Sequence, residues 1–196
     1  MISSRLFGRN FSIYLDQDCP VYENDRIGRL VLIRKNASSS LEHTVDHSSQ
    51  WRRIDHHVCQ RDPAYPMACL LREPKERLLS GLRTVLTDRP DVGLDSADSL
   101  LEEMKQGRLV FDCHTWPQVM YLNTVCPDPT LWRPILMVQG WQEKVQHEWD
   151  INITEHQNAR EGWHWRDRIK ECLESVPQAV ETLLKPDYQL WHSQIK

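Results

Sequence analysis

Apolar residues in this chain fall into short blocks separated by polar stretches with helical spacing. Arg29-Leu30-Val31-Leu32-Ile33-Arg34 is a continuous apolar run, as in a strand buried on both faces of a parallel sheet. Met67-Ala68-Cys69-Leu70-Leu71 and Pro134-Ile135-Leu136-Met137-Val138 repeat the pattern, and Arg52 to Val58 reads as a shorter β-like segment. Ser38 to His47 is predicted as a helix after the first strand. Pro74 suits the first turn of another helix, with Leu78, Leu79, Leu82 and Leu86 on one stripe. A loop over 87–93 follows, and Asp95-Ser96-Ala97-Asp98 caps a helix carrying Leu100, Leu101 and Met104 as far as Gly107. An amphipathic stretch runs from Gln142 to Trp149, and a last helix is predicted from Trp165 to Leu184, bent near Pro177. The alternation predicts an α/β fold: a mostly parallel central sheet flanked by helices on both faces, with ligands at the C-terminal ends of strands.

Length and charge narrow the picture. The 196 residues suit a single domain over 1–196. A net charge of −4 argues against a nucleic-acid partner, because such proteins gain affinity from a basic excess; any anion site must be local. No apolar run reaches the roughly 20 residues needed to cross a bilayer, and the charged N-terminus does not read as a signal peptide, so the expectation is a soluble, cytoplasmic protein without membrane insertion. The six cysteines form no C-x-x-C pair and are expected as buried thiols. The eight tryptophans lie mostly in the C-terminal half and are expected in core and groove packing.

Two segments carry candidate chemistry. After the first strand come Arg34, Lys35, Asn36, Ala37, Ser38, Ser39 and Ser40: a lysine and three hydroxyls where a helix starts. Helix-start N–H groups lack intrahelical partners and carry partial positive charge, so this layout suits a phosphate. After the second strand comes Arg72-Glu73-Pro74-Lys75-Glu76-Arg77-Leu78-Leu79-Ser80. A guanidinium binds phosphate in bidentate fashion, and Ser80 adds a hydroxyl about two helical turns on. One ligand with two phosphates could engage both segments.

A nucleotide-kinase P-loop places glycines ahead of Gly-Lys-Ser/Thr, whereas here Lys35 comes first and the serines follow. That order resembles the 5′-phosphosulfate loop of the sulfotransferases that use 3′-phosphoadenosine 5′-phosphosulfate (PAPS), in particular the K-T-A-S-T-S form of the uronyl 2-O-sulfotransferases. Arg72 to Ser80 satisfies every fixed position of that family's 3′-phosphate motif, R-[DE]-P-x-x-R-[LF]-x-S. Phe111-Asp112-Cys113-His114-Thr115-Trp116-Pro117-Gln118 resembles the H-x-x-P-Q region of carbohydrate sulfotransferases. Leu184-Lys185-Pro186-Asp187-Tyr188-Gln189-Leu190-Trp191 resembles their Y-x-x-D-Y-x-L-[FW] ending, with Leu184 in place of the first tyrosine. The two phosphate motifs lie closer together than in many animal members, as in a trimmed microbial or viral version.

The resemblance implies a P-loop-like sulfotransferase fold and transfer of a sulfuryl group from PAPS to a hydroxyl-bearing acceptor, a saccharide or small alcohol, leaving adenosine 3′,5′-bisphosphate and needing no metal. It implies that Lys35 stabilises the leaving oxygen, that Arg34 and Lys35 to Ser40 hold the 5′-phosphate, and that Arg72 and Ser80 hold the 3′-phosphate while Arg77 braces the fold. An acceptor alcohol must also lose a proton to a base. Aligning the K-T-H-L element of cytosolic sulfotransferases on Ile54-Asp55-His56-His57-Val58 selects His57. His56, His114, Glu42 and Asp55 stay open as alternatives, and strand alternation would point His56 and His57 to opposite faces. Asp112, His114 and Gln118 could face the acceptor, face the adenosine or cap a helix near Pro117; Asn158 and Arg160 fall where related enzymes close a late loop. Trp163 and Trp165 could stack on a ring, with packing under the last helix the simpler expectation. Two other readings are a P-loop nucleotide kinase-like transferase and a non-catalytic nucleotide-binding module.

Overall fold

The computed structural model describes residues 4–8, 19–61, 65–88, 97–153 and 165–195, with residues 60, 61 and 88 described by backbone alone. Its centre is a five-stranded sheet built from β1 (Val21–Asn24), β2 (Gly28–Val31), β3 (Arg52–Ile54), β4 (Met67–Leu71) and β5 (Trp132–Leu136), in the order β3-β1-β2-β4-β5. The sheet is mixed. β2 pairs parallel with β4, and β4 with β5, while β1 pairs antiparallel with both β2 and β3. The expected mostly parallel sheet is thus corrected by a hairpin that the apolar pattern does not reveal. Asn24 Oδ1 accepts from the N–H groups of Arg26 (2.9 Å) and Ile27 (3.1 Å), an Asx-type turn that folds β1 directly back along β2.

Alternating strand residues feed two apolar layers. Met67, Cys69 and Leu71 face one layer, and Ala68 and Leu70 the other. The first layer is covered by α3 (Pro74–Asp88), α4 (Ala97–Lys105), α5 (Gln118–Val125), α7 (Arg166–Ser175) and α8 (Pro177–Gln194). The second is covered by α1 (Ser38–Asp46) and α6 (Trp141–Trp149). Helices on both faces match the expectation, as does the α3 stripe: Leu78, Leu79 and Leu82 are buried, and Leu86 packs partly against the same layer. In α1, Leu41 and Val45 are buried, each contributing about 1.5–3 kcal/mol. All six cysteines are buried thiols.

α3 runs through Asp88, two residues into the stretch expected as a loop, and residues 89–96, with the expected cap at Asp95-Ser96, lie outside the described residues. Three further boundaries differ from the sequence reading. β5 lies two residues earlier than expected. The bend expected near Pro177 is a break, with α8 starting at Pro177 and continuing through Pro186 to Gln194. The third difference touches the candidate base. β3 ends at Ile54 and His56 opens α2 (His56–Arg61), because Asp55 Oδ1 accepts from the His57 N–H at 2.7 Å and so caps a helical turn. Strand alternation therefore does not govern His56 and His57. Among the described residues no helix is long and apolar enough to cross a membrane.

Candidate functional site: one cavity with two cationic poles

β2, β4 and β5 run in the same direction, and the segments after their C-terminal ends enclose a cavity of about 410 Å³. The first wall is the segment after β2, where Arg34, Lys35, Ala37 and Ser38 to Ser40 line the space. Lys35 (φ 69°) and Ala37 (φ 56°) both take the left-handed conformation, which non-glycine residues adopt at a cost and which turns successive backbone groups into a concavity. Ala37 precedes α1 and offers no side-chain cap, so the positive end of the helix meets the cavity without a competing side-chain acceptor at that position.

The second wall is built on β4 and α3. Arg72, Ser80 and Arg83 line it, joined by His114 from the segment before α5. Gly81 permits this meeting. A Cβ there would lie 2.1 Å from the His114 carbonyl oxygen, so only glycine lets the His114 segment lie against α3. Gly81→Ala is expected to lower thermal stability, although alanine favours a helix interior by roughly 0.5–1 kcal/mol over glycine; a raised melting temperature would contradict the close packing. Asp112 orients His114, its Oδ1 accepting from the His114 N–H at 2.8 Å and its Oδ2 lying 2.9 Å from His114 Nδ1.

Four Lys or Arg side chains (Arg34, Lys35, Arg72 and Arg83) line the cavity, and no carboxylate does among the described residues, in a chain whose net charge is −4. Burial lowers the Arg72 guanidinium from its usual value, and Arg77 and Arg83 push it the same way while Glu76 and Glu73 oppose them. Cations held together against repulsion and desolvation are complementary to an anion. Arg77, by contrast, is fully buried, and its Nε donates to the Arg34 carbonyl at 3.1 Å, which agrees with the bracing role implied for it.

Asn36 departs from its expected place. Its Nδ2 donates to Leu70 O (2.7 Å) and Gln118 Oε1 (2.6 Å), and its N–H donates to Ile33 O (3.1 Å). It therefore shapes the loop from inside and does not line the cavity. Gln118 is also internal. Its Oε1 accepts from the Arg72 N–H (2.9 Å) as well as from Asn36, and its Nε2 donates to the Arg72 carbonyl (3.0 Å). Asp187, buried in α8, accepts at 2.9 Å from the N–H groups of both Gln118 and Val119, which caps α5 from another helix. Tyr188 donates its hydroxyl proton to Glu73.

His56 and His57 stand apart. Their ring centroids are 3.9 Å from each other, His56 buried and His57 exposed, and neither lines the cavity. Ile54 and Val31 both sit opposite Val21, so the end of β3 lies two strands, about 10 Å, from the end of β2. Glu42 is engaged with Arg34 (3.2 Å) and Arg53 (3.8 Å), tying α1 to β3. Two triplets, Asp55-His56-His57 and Asp112-Cys113-His114, bring three metal-capable donor atoms within 4.8 Å; each is one donor short of a structural zinc set. Asn158, Arg160 and Trp163 lie outside the described residues, and Trp165 packs partly against the larger apolar layer. The sequence reading missed Gly81, Arg83, Met137 and Trp141; only Arg83, three residues past Ser80 and so on the same helix face, carried a usable signal.

Comparison with protein-family models, with curated proteins and with solved structures finds no match to this chain.

Proposed function

We propose that this protein is a PAPS-dependent sulfotransferase acting on a hydroxyl of a saccharide or small alcohol. One observation carries the reading: a single cavity presents a lysine-serine pole and a separate arginine-serine pole on neighbouring parallel strands. The two poles suit a ligand with phosphates at two separated positions, and their residue order is the one that resembles the sulfotransferase motifs.

The acceptor oxygen attacks sulfur in line, the bond from sulfur to the bridging phosphate oxygen breaks, and that oxygen leaves with the electron pair. Positioning and electrostatics carry such a transfer, by analogy with phosphoryl transfer. Lys35 stabilises the charge on the leaving oxygen, the start of α1 holds the 5′-phosphate, and Arg72, Ser80, Arg83 and His114 hold the 3′-phosphate. Met137 and Trp141 give the cavity an apolar wall for the adenine or a sugar face. The base that the resemblance selects for the acceptor proton is His57, exposed at the same end of the sheet but outside the cavity lining, so the acceptor must extend from the cavity to it; His114 lines the cavity and belongs to the second pole.

The test is transfer of radiolabelled sulfate from PAPS to a panel of saccharides and small alcohols, in the presence of a chelator. His57→Gln is expected to lose turnover by about 10²–10⁴-fold and to keep its affinity for adenosine 3′,5′-bisphosphate. His114→Gln is expected to weaken that affinity. Should His114→Gln instead lose turnover with the affinity intact, the base is His114, backed by Asp112. No labelled product from the wild-type protein on any acceptor would sink the enzymatic reading.

A further inference from the structure

We propose that Gln118 is a positioning residue that couples the two poles, so that the cavity selects a ligand with two phosphates over any ligand with one. The proposal rests on the bis-anionic reading above.

The two pole-bearing segments follow adjacent strands, β2 and β4, and one side-chain amide bridges them. Gln118 Oε1 accepts from Asn36 in the first segment and from the Arg72 N–H in the second, and Nε2 returns a bond to the Arg72 carbonyl. Arg72 also reaches across, its Nη1 donating to the Lys35 carbonyl at 3.3 Å. Gln118 is 1 % exposed, so water cannot replace a bond lost there, and each unmade bond leaves a buried polar group unsatisfied.

The amide is itself fixed from outside the cavity. The Gln118 N–H donates to Asp187, which sits in α8 and also accepts from Val119. A continuous set of hydrogen bonds therefore runs from α8 through the first turn of α5 to both cavity walls. The spacing of the poles is set by this internal bridge before any ligand arrives. Two anchors on one ligand reinforce each other only when the spacing matches, and the gain is lost when the geometry drifts.

Gln118→Glu keeps the side-chain length and the acceptor oxygen that serves Asn36 and the Arg72 N–H but replaces the donor to the Arg72 carbonyl with a carboxylate oxygen; Gln118→Met removes every side-chain polar contact. Calorimetric titration of adenosine 3′,5′-bisphosphate, adenosine 5′-monophosphate and adenosine 3′-monophosphate reads the coupling directly. The bisphosphate is expected to weaken by about tenfold or more in the variants, and each monophosphate by less than about threefold. A purely structural role predicts equal losses for all three nucleotides, and that result would overturn the proposal. Variants that bind all three nucleotides as the wild type does would overturn it too, leaving the bisphosphate reading intact. A wild-type protein that binds the bisphosphate no more tightly than the monophosphates would overturn both. Circular dichroism checks that each variant is folded, and Asp187→Asn, which retains an acceptor oxygen for α5, provides the same comparison if neither Gln118 variant folds.

Discussion

Lys35→Ala is expected to lower kcat for sulfuryl transfer by about 10²–10³-fold, the usual cost of removing one group that stabilises charge developing in a transition state. Affinity for adenosine 3′,5′-bisphosphate should fall by less than about tenfold, because the α1 N-terminus, Arg72, Ser80 and Arg83 remain in place. The separation follows from the geometry: Lys35 leaves β2 in a left-handed turn and stands at the cavity wall, while the loop is held by Asn36 and Arg77. Single-turnover kinetics beside calorimetric binding measures both quantities. Equal losses in the two would make Lys35 a general anion ligand, and unchanged turnover would remove it from the chemistry.

Asp187→Ala is expected to destabilise the fold by roughly 2–6 kcal/mol, about 1–3 kcal/mol for each of two buried N–H groups left without an acceptor. Two helix-start N–H groups lose their acceptor, and Arg77 loses the nearby carboxylate. Asp187→Asn should cost less, since its single amide oxygen still accepts from one of the two N–H groups and no charge need be desolvated. Urea denaturation distinguishes the two variants, and similar large losses in both would contradict this reading.

The same carboxyl has a pH signature. Burial raises its pKa above the usual aspartate range, with Arg77 and the two N–H donors opposing the shift but not cancelling it. The native protein therefore holds this proton more tightly than the unfolded chain. The stability it brings is full below the unfolded pKa of about 3.9 and is lost as pH rises through the raised native value. Asp187→Asn should lack that slope, so wild-type stability should fall relative to the variant across this window; parallel pH profiles would contradict the shift.

Local signals account for much of the fold and part of the site. The β2 and β4 runs are apolar on both faces, and the α3 stripe follows a 3.6-residue period, so each is legible from composition and spacing alone. β1 was not legible. It has four residues, one of them Glu23, and its pairing depends on the turn chemistry of Asn24. His56 and His57 were placed on a strand because Ile54 to Val58 looks β-like, whereas one side-chain bond from Asp55 starts a helix there.

In the site, Lys35, Ser38 to Ser40, Arg72 and Ser80 could be named because each pole is local in sequence. Their meeting in one cavity, the arrival of His114 against Gly81 and the bridge from Gln118 are long-range consequences of packing. No spacing rule links residue 36 to residue 118 or residue 118 to residue 187. Asn36 illustrates the limit: its position in the motif suggested a ligand contact, and its burial assigns its side chain to Leu70 and Gln118.

The central claim, a site for one ligand with two separated phosphates and no metal, is tested most directly by thermal denaturation with chelator present. Adenosine 3′,5′-bisphosphate at a hundredfold excess over its Kd should add about 2.7 kcal/mol, which for a chain of this size raises Tm by about 5–10 °C. ATP with magnesium, in place of the chelator, should produce little shift. A large shift with ATP and magnesium and none with the bisphosphate would contradict the account and favour a nucleotide kinase-like transferase.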